Sequence, residues 1–142
     1  MKNNVIRMFL AVSAASGMAT ALHAQTPDFS AKVPFAFQAA GKVFAAGNYL
    51  VREHGYLGIP SMQNAATGDT AFVAGSSHTL TRVGPTRLVF HCYAGNTCFL
   101  AEIRPSIGPG IAIAMTKVEK GIANGDQPRE VAAVAVDLHH GE

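Results

Sequence analysis

The sequence predicts an all-β protein: a single small antiparallel β-barrel or β-sandwich of about eight short strands, preceded by a signal-peptide helix. Charged residues make up only 14% of the chain and apolar residues 49%, so the chain can form a folded core. Its 14 glycines separate many short apolar runs. Apolar and polar residues alternate in several of these runs, which is typical of half-buried strands.

The N-terminal half of the predicted domain contains several short extended segments. In residues 31–38, polar or small residues alternate with the apolar Val33, Phe35 and Phe37. Pro34 places this strand at or beside a sheet edge, because proline cannot donate to a β-ladder. Turns are expected at Gly41 and Gly47, where glycine permits positive φ or a close approach. Further strands are predicted at 42–44, 48–54, 56–62 and 70–80.

The C-terminal half contains the clearest hairpin, predicted from residues 86–93 and 97–104. Residues 105–110 (PSIGPG) predict a loop. We interpret 111–118 as a strand rather than a helix, because it is rich in β-branched residues and lacks a good N-cap after Gly110. A polar loop is expected at 121–128 and a final strand at 131–138.

The first 24 residues predict a secretory signal peptide. Lys2 and Arg7 form a positive n-region, residues 8–22 form an uncharged apolar stretch, and Ala24 precedes a cleavage site before Gln25. The apolar stretch has about 15 residues, fewer than the roughly 20 that span a bilayer, which favours a cleaved signal over a membrane anchor.

The signal peptide sets the predicted domain organisation and the charge of the mature chain. Cleavage after Ala24, rather than the alternative Ala21, gives a signal peptide at 1–24, a flexible lead-in at 25–30, a β-domain at 31–138 and a tail at 139–142. The chain has 11 basic and 9 acidic residues. Removal of Lys2 and Arg7 makes it neutral, so no nucleic-acid partner is expected. The apolar run 131–136 is too short to span a membrane.

Cys92 and Cys98 are the two cysteines of the chain. If Ala94-Gly95-Asn96 forms the turn, Tyr93 pairs with Thr97 and Cys92 faces Cys98 within disulfide reach. Export to an oxidising compartment favours the bond. Closing this loop would stabilise the fold by roughly 2–2.5 kcal/mol. A redox pair is the alternative, but the spacing does not match C-x-x-C.

Two pairs of sequence blocks resemble a family of small secreted bacterial proteins with no assigned activity. Residues 33–37 (VPFAF) and 46–51 (AGNYLV) match V-P-F-x-F and A-G-x-Y-x-V. Residues 88–91 (LVFH) and 99–104 (FLAEIR) match L-V-F-x and F-L-x-x-I-R. The two hairpin cysteines depart from the family pattern. The resemblance implies a secreted β-domain and supplies no catalytic residues.

The large side chains of these blocks are predicted to form the core. A ligand pocket lined by the same aromatic residues is the alternative, which we favour less because small barrels are usually filled. They are Phe35, Phe37, Phe44, Tyr49, Phe90 and Phe99.

The histidines do not form a recognisable metal site. Outside the signal peptide they are His54, His78, His91, His139 and His140. His91 and Cys92 are adjacent on a strand and therefore point to opposite faces, and His139-His140 lies in the predicted tail. We expect no metal and no cofactor.

No catalytic motif is evident in the sequence. Ser76, Ser77 and His78 are neighbours on a predicted strand, where adjacent side chains face apart, and G-x-S-x-G does not occur. The acids Glu53 and Glu102 are interpreted as solvent-facing residues beside Arg52 and Arg104.

These observations favour an exported β-domain with a non-catalytic structural or interaction role in the periplasm or outside the cell. Its partner would be an unknown protein or envelope component. One alternative is a lipocalin-like carrier of a small apolar ligand, which requires a cavity of about 300 Å³ or more. The other is a hydrolase whose site is assembled from His78, His91 and nearby acids.

The sequence predicts that the mature protein contains no free thiol, because Cys92 and Cys98 are joined. Thiol titration of the denatured, unreduced protein is expected to detect none, and titration after reduction provides the control. Two titratable thiols without reductant would contradict the prediction.

Overall fold

The computed structural model describes residues 28–52, 59–80 and 83–137. The expected signal peptide, the cleavage site at Ala24 and Gln25, and the tail at 139–142 lie outside the described residues. Within them the protein is all-β, with one short helix. The strands are β1 (Asp28–Val33), β2 (Phe37–Ala39), β3 (Lys42–Phe44), β4 (Gly47–Arg52), β5 (Ser61–Asn64), β6 (Thr70–Phe72), β7 (Gly75–His78), β8 (Arg87–Tyr93), β9 (Thr97–Arg104), β10 (Gly110–Ile113) and β11 (Arg129–Asp137); the helix is α1 (Lys117–Ala123).

The strands form two sheets that are continuous through β11. Sheet I contains β1, β4, β5 and β6, and sheet II contains β3, β2, β9 and β8 together with β10 and β7. Residues 129–134 of β11 pair with β8, and residues 135–137 pair with β1. The described strands therefore form a sandwich-like arrangement and no closed barrel, so the sandwich alternative fits and the barrel alternative does not.

The structure has more strands than the expected eight because two predicted strands are divided. Residues 31–38 split around Pro34 into the end of β1 in sheet I and β2 in sheet II. Residues 70–80 split into β6, which pairs with β5, and β7, which pairs with β10. At both places the chain crosses between sheets, and alternation alone does not reveal such corners.

Two further segments differ from the sequence-based expectation. Strand β1 begins at Asp28, inside the expected lead-in 25–30. The predicted strand 111–118 ends at Ile113, and α1 follows at Lys117–Ala123, reaching into the predicted loop 121–128. The Thr116 side chain accepts a hydrogen bond from the Glu119 backbone N–H and caps the helix, so a cap exists six residues beyond Gly110.

The β8–β9 hairpin has the predicted register. Tyr93 pairs with Thr97 and Cys92 with Cys98 around the turn 94–96. The two sulfur atoms are 2.08 Å apart, a disulfide distance. Among the residues that the structure describes, no cysteine is free.

The β2–β3 hairpin depends on a tight turn at Ala40-Gly41. Both residues have positive φ, 51° and 74°. Two-residue hairpin loops favour positive φ at both central positions, because the backbone twist then matches that of the strands. Glycine adopts this conformation without steric cost, which explains Gly41.

An aromatic cluster joins the two sheets. Phe37 is stacked on Phe44 with ring centroids 5.3 Å apart, and it makes edge contacts at 5.1 Å with both Tyr49 and Phe90. Tyr49 belongs to sheet I and the other three to sheet II, so this contact closes the sandwich. Of the six aromatic residues predicted for the core, these four are in it and Phe35 packs against it; Phe99 is buried but lies outside the main cluster.

A buried polar network supports the same cluster. The Tyr49 hydroxyl donates to the Ala45 carbonyl and accepts from Asn64 Nδ2 at 3.1 Å. Asn64 Oδ1 in turn accepts the backbone N–H groups of Ala66 and Thr67. Every polar atom brought into the core by this pair therefore gains a partner, which burial of polar groups requires.

Replacement of Phe37 by alanine is expected to lower the free energy of unfolding by about 3–5 kcal/mol, because it removes three aromatic contacts and leaves a cavity. Urea denaturation measures the change. The matched control is Phe72→Ala, at a side chain that is 59% exposed, with an expected loss below about 1 kcal/mol. Similar losses in both variants would contradict the assigned role of Phe37.

Candidate functional site

The outer face of sheet II, opposite the core, carries a row of ionisable side chains. Along β8 and β9 the core takes Phe90, Cys92, Leu100 and Ile103, which leaves the alternate residues on the outer face. A bulge where the register shifts between Val89 and Phe90 places Glu102 and Arg104 on that face. Glu130 of β11 is the direct register partner of His91, so it lies on the same face.

His78, Glu102 and Arg104 form a connected charge network on this face. His78 Nε2 lies 2.8 Å from Glu102 Oε1, and Arg104 Nη2 lies 2.6 Å from Glu102 Oε2. Arg104 also contacts Glu130 at 3.7 Å. Gly110 lies between His78 and Glu102, and a Cβ there would come within 2.8 Å of the His78 ring. Glycine at this position therefore lets the histidine reach across β10 to the glutamate.

The environment of Glu102 favours its ionised form. Burial by itself raises the pKa of this carboxyl, but the hydrogen bond and charge of Arg104, together with His78, outweigh it and hold the pKa below its ordinary value. The expectation that Glu102 faces solvent was wrong, since the residue is buried. The expectation that it lies beside Arg104 is confirmed. The other predicted strand acid, Glu53, lies outside the described residues.

A second cluster is centred on Glu119 of α1, which packs on the same outer face. The Glu119 carboxylate is buried and accepts the Tyr93 hydroxyl at Oε1, at 3.1 Å. His91 Nδ1 lies 3.5 Å from the same oxygen. Burial, followed by this bond to Glu119, raises the pKa of the Tyr93 hydroxyl above its ordinary value. Tyr93 also makes an edge contact with Phe99, which accounts for the burial of Phe99 away from the main core.

Glu119 also lines an apolar cleft of about 250 Å³. The cleft lies where β9 changes neighbours, because β2 pairs with it at Phe99 and β10 pairs with it at Glu102 and Ile103. Its other walls come from the β2–β3 turn and from the segment joining β6 to β7. The lining residues are Gln38, Ala39, Ala40, Gly41, Phe72, Val73, Ala74, Phe99, Leu100, Ile113, Ala114, Thr116 and Glu119.

The structure brings together some of the predicted polar residues and separates others. His78 and His91 each lie beside a glutamate, as an assembled site would require, but neither lines the cleft. His91 and Cys92 lie on opposite faces of β8, as expected. Among the described residues, no group of three or more metal-ligating side chains converges. His54, His139 and His140 lie outside them.

Glu119 is the residue that the sequence analysis missed. Interpretation of 111–118 as a strand and 121–128 as a loop left no helix on which to place it. The available signal was the spacing Thr116-x-x-Glu119, since Ser or Thr followed three residues later by Glu is typical of a capped helix N-terminus.

No family model, curated protein or solved structure matches this chain. The resemblance to a secreted bacterial family therefore stays a prediction. In the part of the chain that the structure describes, no helix is long and apolar enough to cross a membrane. The disulfide fits a protein outside the cytoplasm.

Acid is expected to destabilise the protein through Glu102. Its pKa in the folded protein lies below the ordinary value of 4.5. The stabilisation is therefore complete above that value and is lost as the pH falls through the lower folded pKa. Urea unfolding between about pH 5 and pH 3 should show a smaller loss of stability in Glu102→Gln than in the wild type.

The matched control for this experiment is Glu130→Gln, which removes a carboxylate that is 57% exposed and 3.7 Å from Arg104. It should retain the acid dependence of the wild type. An unchanged loss of stability in Glu102→Gln would refute the assigned role of the His78–Glu102–Arg104 network.

Proposed function

We propose that the chain is an exported, non-catalytic interaction module that binds an extended segment of a partner protein at the cleft beside β6. The observation that carries this proposal is the apolar cleft of about 250 Å³ at the change of neighbours along β9. Its walls include exposed apolar surface and part of β6, whose outer edge pairs with none of the other described strands. Strand addition uses these two features.

The size of the cleft favours a side chain over a whole ligand. Sites for small molecules are typically about 300–1,000 Å³ in volume. The cleft is smaller than this range, and the interior between the sheets is filled by the Phe37 aromatic cluster. The carrier alternative therefore has less support than the docking of one partner side chain.

The edge of sheet I favours an extended partner. Among the described strands, β6 pairs only with β5, so its other edge can accept main-chain hydrogen bonds. Phe72 on β6 is 59% exposed and lines the cleft. A strand laid along β6 would contact this ring while one of its side chains entered the cleft.

Export is supported by the signal-peptide pattern of residues 1–24, by the Cys92–Cys98 pair and by the resemblance to a secreted family. The hydrolase alternative has less support. His78 pairs with Glu102, but both lie outside the lining of the cleft, and Glu102 is engaged by Arg104.

Panning a library of extended peptides on the mature protein should yield binders that depend on the cleft. Ala74 is exposed and lines the cleft, so Ala74→Phe is expected to fill it without disturbing the core. Affinities of the selected peptides, measured by calorimetry, should fall by about tenfold or more in this variant.

The matched control is Ala66→Phe, which makes the same change at an exposed position in the β5–β6 connection. It should bind the selected peptides like the wild type. The proposal fails if no peptide is selected, or if the selected peptides bind Ala74→Phe as tightly as they bind the wild type.

A further inference from the structure

We infer that the cleft recognises a lysine side chain of the partner segment, with the lysine ammonium held by Glu119. This inference rests on the proposed function and names the chemistry of the residue that enters the cleft. It starts from the charge of the lining: of the 13 lining residues, Glu119 is the one ionisable group. The walls are otherwise apolar, apart from Gln38 and Thr116. An apolar cleft with one carboxylate is complementary to a side chain that has an apolar stem and a positively charged end.

The contacts that the protein makes with the Glu119 carboxylate are at one of its two oxygens. Its side chain is only 4% exposed. Oε1 accepts from Tyr93 and lies near His91, whereas Oε2 has no hydrogen-bond donor among the described residues. Oε2 is not one of the fully buried side-chain atoms that lack a partner, so it keeps some contact with solvent and is open to a ligand. Hydrogen bonds to charged groups are among the stronger ones. A cation delivered through the cleft would supply the donor that Oε2 lacks.

The fixed position of Glu119 makes it suited to recognition. Thr116 caps the first turn of α1 through the Glu119 backbone N–H, and Tyr93 holds Oε1. Both restraints are in place without a ligand, so little ordering is needed on binding. The lysines nearest in sequence, Lys117 and Lys120, are exposed on the surface of α1, and the ion-pair contact that Glu119 makes among the described residues is with His91.

One available oxygen favours lysine over arginine. A guanidinium binds a carboxylate best through two parallel hydrogen bonds, which require both oxygens. Tyr93 already occupies Oε1, so a bidentate pair would have to displace it. An ammonium is a compact charge that needs one oxygen, and its four-carbon stem can pack along apolar walls such as Phe72, Leu100 and Ile113.

The test uses the mature protein and the N-acetyl methylamides of lysine, norleucine and arginine as probes. Norleucine has the lysine stem without the charge. Backbone amide shifts around the cleft, at Ala39, Ala74, Leu100 and Thr116, report binding in NMR titrations. The lysine probe is expected to bind about tenfold or more tightly than norleucine, and more tightly than arginine.

Two variants test whether the preference for lysine arises from Glu119 and whether the probes bind in the cleft. Glu119→Gln keeps the shape of the side chain and an oxygen for Tyr93, and should reduce the lysine-to-norleucine ratio to about one. Ala74→Phe should abolish the shifts caused by all three probes. The comparison of probes on the wild type needs no variant, so it is decisive even if Glu119→Gln folds poorly.

The outcomes separate this inference from the function on which it rests. If norleucine or arginine binds the cleft as tightly as lysine does, the lysine inference is overturned and docking at the cleft stands. If no probe shifts the cleft amides while library peptides still bind there, the inference again fails alone. If those peptides also fail to bind, both are overturned. A lysine preference that persists in Glu119→Gln would overturn the role of Glu119.

Discussion

The contact of Phe37 with Tyr49 and Phe90 is the interaction on which the rest of the structure depends. It packs a side chain of sheet I against two side chains of sheet II. Burial of apolar surface is the dominant favourable term in folding, and large aromatic side chains each contribute much of it. Tyr49 adds a polar requirement, because its buried hydroxyl needs both Ala45 and Asn64. The core therefore fixes the β3–β4 connection through Ala45 and the β5–β6 connection through Asn64, as well as the packing of the sheets.

The two faces of sheet II carry different kinds of side chain. The inner face supplies the core residues, and the outer face holds the charge network of Glu102 and the cluster around Glu119. Helix α1 covers part of this outer face and brings Glu119 to the margin of the cleft. The bulge near Phe90 shifts the inward and outward alternation along β9, so it determines which β9 side chains face outward.

How far the sequence predicts this protein depends on the range of each interaction. The Cys92–Cys98 register follows from a three-residue turn, so local reasoning finds it. The division of residues 31–38 and 70–80 depends on which sheet each half joins, and no local pattern contains that information. Glu102 meets His78 across the intervening strand β10, a contact that no local pattern contains. Glu119 could be placed only by recognising a helix whose cap, Thr116, is separated from the preceding strand.

The position of β11 has a consequence for the order in which the strands pair during folding. The last described strand in the sequence lies between β8 and β1 in the sheet order, and Phe29 in the first strand pairs with Asp137 in the last. Contacts between such distant residues form slowly, because loop closure must precede any gain from pairing. Until Arg129–Asp137 has left the ribosome, β8 and β1 each lack a neighbour, and the two sheets have no strand in common. Pairing of β11 with both of these neighbours is therefore the step that joins the two sheets.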